Sequence, residues 1–197
     1  NLVVRQGGLP AVEALLTTRS TMYPTVYFHP FVRGAELMLA RAANSAILSN
    51  KFTSRDFTTF TDHKFLSELD RAGGFPQKIV KDFENRRIVK PAVSITKKQA
   101  EDSGLNRASK EEYENSIAAK LGLDASDIYV DLPPLSVVPG LKIKIRKDND
   151  EVVLARTLSR LVSGLYEAQF DHWRGRVYGP SGIGDEISSE ASKVLGL

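Results

Sequence analysis

The sequence predicts an α+β fold, an all-helical N-terminal part followed by a small α/β sandwich for which a ferredoxin-like arrangement is the model. Three observations predict it. Apolar residues recur at three- and four-residue steps up to about Lys90. From "RRIVKPAVSIT" onward β-branched residues gather into short runs. Those runs alternate with two further helical patterns over some 90 residues. The division this implies is a helical part over 1–90, an α/β part over 91–180 and a tail over 181–197 that adds a short helix or frays.

In "GLPAVEALLTTRSTMY", Pro10 opens a helix whose stripe carries Val12, Leu15, Leu16, Arg19 and Met22. A second helix is expected from about Pro24 to Leu48, its apolar face formed by Phe28, Phe31, Ala35, Leu37, Met38, Ala42 and Ile47. Pro30 fits only within its first turns or at a kink. Thr61 is the expected N-cap of the next helix and Gly73–Gly74 its stop. Pro76 begins a fourth, ending near Arg86. Strands are expected at 87–95, 127–133, 140–147 and 172–179, with helices at 109–122 and 155–169 between them. Ser109 and Glu112 stand in capping-box spacing. The three prolines of "LPPLSVVPGLK" mark a semi-rigid loop or sheet edge, with a proline-motif docking site as the alternative.

Composition narrows the chemistry. The 197 residues are 42% hydrophobic and 26% charged, within the ordinary globular range. No apolar run approaches the length that crosses a bilayer and no signal segment opens the chain, so a cytoplasmic location is expected and no membrane partner. Cysteine is absent, which removes disulfides and thiolate metal sites. The histidines, His29, His63 and His172, have no helical i, i+4 partner, so no metal ligand set is read from them. The net charge of +3 is uneven. Residues 1–90 hold 13 Lys and Arg against 8 Asp and Glu, which makes the first half the better place for a phosphate-bearing ligand. Basic residues are otherwise scattered without interleaved aromatics, which argues against a nucleic-acid partner.

No phosphate-cradling glycine loop and no nucleophile elbow is present. What stands out is Arg19, Tyr23 and Tyr27 at four-residue intervals, followed by His29. On one helix face these offer a guanidinium fork for phosphate oxygens, phenols for sugar oxygens and rings for stacking. The competing account is a half-buried seam whose tyrosines keep their hydroxyls wet.

The segments "GLPAVEALLTTRSTMYPTVYFHPFVRGAELML", "FTTFTDHKFLSEL" and "NRRIVKP", in that order, resemble the C-terminal part of HD-domain phosphohydrolases close to the deoxynucleotide triphosphohydrolases. The resemblance covers residues 7–95 well and 96–180 loosely. It implies that 1–90 are the C-terminal helices of an HD-type domain, with an appended α/β domain after them. It implies substrate-side roles for Arg19 at the triphosphate and Tyr27 at the deoxyribose, with Tyr23 where the mammalian enzyme has a histidine. His29 matches a histidine near an effector or oligomer contact, and the basic residue that follows there is Pro30 here. The family's metal ligands, a His, a His-Asp doublet and a later Asp, precede the segment that matches residue 1, and no His-Asp doublet occurs in this sequence. The chain opens at Asn1 without methionine and reads as a fragment. The expectation is therefore a chain inactive by itself, with no catalytic residue and no cofactor of its own. Its partner would be a missing upstream HD half that supplies the divalent metal, with a nucleotide as ligand and a homo-oligomer as the assembly. The alternative is a non-catalytic oligomerisation or protein-interaction module.

Overall fold

A computed structural model of the chain describes residues 2–134, 142–168 and 171–197. It divides into two compact units, each assembled from three stretches of chain that alternate along the sequence.

The first unit comprises residues 1–29, 95–107 and 132–175. Strand β1 (Val4–Arg5) pairs in parallel with β4 (Lys144–Arg146), which pairs antiparallel with β5 (Val152–Leu154). Helix α1 (Leu9–Met22) buries Val12 and Leu16 against Ile145, Ala155 and Val162. The helix expected over 155–169 is two, α7 (Ala155–Leu158) and α8 (Arg160–Ala168). Ser159 causes the break: it leaves the helical region at φ −120°, and its hydroxyl oxygen accepts the Val162 amide at 3.1 Å, an N-cap bond. Helix α5 (Lys97–Asp102) carries a capping box of Thr96 and Gln99. The one expected at Ser109 is absent, the Ser109 side chain making no cap bond.

The second unit comprises residues 30–94, 108–131 and 176–197. Helix α2 (Pro30–Leu48) begins six residues later than expected, with Pro30 at its first position, where the missing N–H costs nothing. Met38, Ala42 and Ala46 are its buried stripe, whereas Phe31 is exposed. Gly34 lets α2 approach strand β2 (Lys90–Thr96) closely: a Cβ there would stand 3.0 Å from the Val89 carbonyl oxygen. Helices α3 (Asp62–Ala72) and α4 (Gly74–Glu84) follow, with Thr61 the N-cap of α3 and Gly73, at φ 74°, its stop. Leu69, Ile79, Val80, Phe52 and Ile88 complete the core of this unit with Tyr129 and Tyr178.

The sheet here has the order β2-β6-β3, with β3 (Tyr129–Asp131) antiparallel to β6 (Arg174–Gly179). Helix α6 (Lys110–Leu121) packs on α9 (Gly184–Leu195), so most of the tail is an ordered helix. The α+β class is what the chain forms. Each sheet of the described residues has three strands, however, and the ferredoxin-like arrangement needs four in one sheet. The proline loop falls largely at 135–141, outside the described residues. Of its described residues, Pro133 accepts a hydrogen bond through its carbonyl from Trp173 Nε1 at 2.9 Å.

Candidate functional site: a π turn and a basic pocket

Helix α1 does not run on into a regular second helix. Pro24 has no N–H to offer the Ser20 carbonyl, and the bonding register slips by one residue into a π turn over Tyr23–Tyr27. The Phe28 amide donates to the Tyr23 carbonyl at 2.7 Å, five residues back. This turn brings three aromatic rings together: Tyr23 lies 5.2 Å from Tyr27 and 5.7 Å from Phe28, ring centre to ring centre. Arg19, in the last turn of α1, reaches the Tyr23 hydroxyl at 3.5 Å. Among the described residues its guanidinium has no carboxylate partner.

The sequence-derived quartet is thus only partly assembled. Arg19, Tyr23 and Tyr27 form one continuous surface, with Arg19 and Tyr27 exposed. His29 is exposed beyond the turn and stands apart from the contacts among the other three, its amide donating to the Val26 carbonyl. Tyr23 also lines a half-open cavity of about 290 Å³, together with Pro24, Phe28, Leu165, Ala168 and His172. Sequence reading treated His172 as isolated. Nothing in the spacing of 23 and 172 announces that the two meet.

A second cavity, of about 460 Å³, lies in the other unit between α4 and β2. Lys78, Arg86, Arg87 and Lys90 stand around it over a floor that includes Met38, Ile79 and Tyr129. Two of these cations are neutralised, Lys78 by Asp127 at 3.0 Å and Arg87 by Asp82 at 2.9 Å. Arg86 and Lys90 have no carboxylate partner among the described residues, which leaves two positive charges for an anion.

The backbone at Arg86 reinforces the point. Helix α4 ends in a Schellman motif, with Arg87 N–H donating to Asp82 O at 2.7 Å and Arg86 N–H to Phe83 O at 3.0 Å, and Arg86 occupies the left-handed position at φ 55°. The same motif ends α5 at Gly104, α6 at Gly122 and α2 at Asn50. Only at α4 does a long charged side chain sit where the backbone favours glycine. The run "NRRIVKP" supplies three of the four cations, but its spacing does not show which two are left unpaired.

Among the described residues no three His, Asp or Glu side chains come together as a metal site. No helix of the described residues is long and apolar enough to cross a membrane.

The chain belongs to the family described as the HD associated region, whose model matches residues 1–197. It is similar, at 22% identity over 88% of its length, to an uncharacterized protein of Methanocaldococcus jannaschii, of which it covers 38%. Two solved structures share the fold. One is a hypothetical protein from Aquifex aeolicus, with a TM-score of 0.60 and 22% identity over 95% of this chain and 46% of that one. The other is a phosphohydrolase from Bacteroides thetaiotaomicron, with a TM-score of 0.57 and 16% identity over 91% of this chain and 52% of that one. The chain spans about half the length of these solved relatives, and less of the archaeal one.

Proposed function

We propose that this chain is the substrate-side portion of an HD-superfamily phosphohydrolase that acts on nucleotides of the deoxynucleoside triphosphate type. The observation that carries the reading is the unpaired Arg19 guanidinium beside Tyr23 and Tyr27 on the π turn. A fork donor next to two phenols suits a phosphate chain with its sugar. The unpaired Arg86 and Lys90 agree with an anionic ligand. Water activation at neutral pH needs a bound cation, and the HD half would hold that metal and supply the hydroxide. This chain alone would bind without hydrolysing. The test is hydrolysis of deoxynucleoside triphosphates, with added divalent cation, by the chain co-expressed with an HD-bearing half. Arg19→Ala should lower kcat/KM by at least about tenfold, the effect of losing one charge-assisted contact. Undiminished turnover by Arg19→Ala would remove the assigned role.

A second reading rests on Leu15, Met22 and Val26, which are 61%, 40% and 47% exposed along α1 and its π turn. An apolar stripe of this kind fits a module that docks the HD half or a second copy of the chain. Light scattering separates the two readings. A pure docking module gains mass with concentration and shows no thermal shift with nucleotide.

A further inference from the structure

We infer that the cavity under the π turn is the seat of a planar nitrogen heterocycle, a nucleobase, and that His172 and Ser20 read its edge. The inference rests on the nucleotide reading of Arg19 and Tyr23 and adds to it the part of the ligand that this chain discriminates. Three observations carry it. The volume of about 290 Å³ suits one ring system and little more. Much of the wall is flat or apolar, with Tyr23 and Phe28 offering rings and Pro24, Leu165 and Ala168 apolar surface. Stacking of bases on aromatic side chains is tolerant of base identity, so these walls would hold the ring without choosing it.

Choice requires polar groups that are free, and the cavity has them. Thr21 and Thr25 donate their hydroxyl protons to the Thr18 and Thr21 carbonyls, at 2.7 Å and 2.8 Å, and are spent as donors. Ser20, half-buried, and His172, exposed to solvent, line the same space without a protein hydrogen bond among the described residues. A hydroxyl can donate or accept, and a neutral imidazole does both, one from each ring nitrogen. Together they can match the mixed donor and acceptor edge of a base. Arg19 stands 3.5 Å from the Tyr23 hydroxyl, so a ligand anchored in the cavity has a cation at the Tyr23 end for its phosphate. His172 would be a specificity-determining contact contributed by the segment after α8, far in sequence from Arg19.

The experiment is calorimetric titration of the 197-residue chain with deoxyguanosine 5′-monophosphate, thymidine 5′-monophosphate and inorganic pyrophosphate, repeated for three variants. Both nucleotides should bind more tightly than pyrophosphate by about tenfold, the order of one base stacked on an aromatic ring. Ala168→Phe, which fills the cavity, should erase that advantage and leave pyrophosphate binding unchanged. His172→Ala should change the ratio between the two nucleotides, and it guards against a folding defect in the filled variant. Arg19→Ala should weaken all three ligands. If the nucleotides bind and Arg19→Ala weakens them, while the Ala168 and His172 variants behave as the parent, the base cavity is overturned and the nucleotide reading stands. If no ligand binds, or Arg19→Ala changes nothing, both fall.

Discussion

Arg41 lies over the ring of Tyr129, its guanidinium carbon 3.8 Å from the ring centre. The same guanidinium meets Glu114 at 2.6 Å and donates to the carbonyls of Ala125, Ser126 and Ile128. Glu114 in turn accepts the Val130 amide at 2.8 Å. One side chain of α2 thus ties α6, the turn before β3 and β3 itself into one polar knot. A lysine has no planar fork and cannot serve ring, carboxylate and carbonyls together. Arg41→Lys should cost about 2–4 kcal/mol in urea unfolding, because the buried Glu114 loses its close guanidinium partner and keeps only the Val130 amide and the more distant Lys110.

The two buried tyrosines of this unit give a titration signature. Burial pushes the Tyr129 and Tyr178 hydroxyls up to about 12 each. Absorbance at alkaline pH should show two of the six tyrosines ionising late. The folded state holds these protons after the unfolded chain has released them near the ordinary phenol value of about 10. Their contribution to stability is therefore complete below that pH and is lost as pH rises toward 12. An absorbance titration without a late step would contradict the buried placement.

Tyr178 offers a separate check. Its hydroxyl and the Arg176 Nε are buried without a hydrogen-bond partner among the described residues. Arg176 favours the ionised hydroxyl but makes no well-aligned hydrogen bond with it, so Tyr178→Phe should leave stability unchanged or raise it by up to about 1 kcal/mol. A loss of 2 kcal/mol or more would mean the hydroxyl has a partner.

Arg86→Gly should separate stability from binding. Glycine relieves the left-handed backbone at φ 55°, a gain of about 0.5–1 kcal/mol that thermal unfolding would detect. The same change removes one of the two unpaired cations of the pocket, so affinity for pyrophosphate should fall. A variant that loses stability, or keeps its anion affinity, would show that the arginine is there for packing.

Much of the helical architecture was legible because its signals are local. Thr61 and Gly73 bound α3 as their chemistry demands, and Met38 and Ala42 face inward as their spacing requires. The strands were less so. β1 and β5 have two and three residues, too few to show an alternation, and they exist because Ile145 between them is buried in the core of the first unit. The π turn was missed for a different reason. Pro24 and Pro30 were both visible, but a helical period read from side chains does not reveal a change of backbone register between them. Arg86 escaped notice because arginine is not a residue from which a left-handed backbone is read. The meeting of Tyr23 and His172 is long-range and left no trace in the spacing of either.

The π turn holds one residue more than an ordinary helical path through the same segment would. A single-codon deletion between 23 and 27 would return the stretch to the common winding and change how Tyr23 and Tyr27 face one another. An in-frame loss of three bases is thus the smallest change that would show whether the ring cluster depends on the turn.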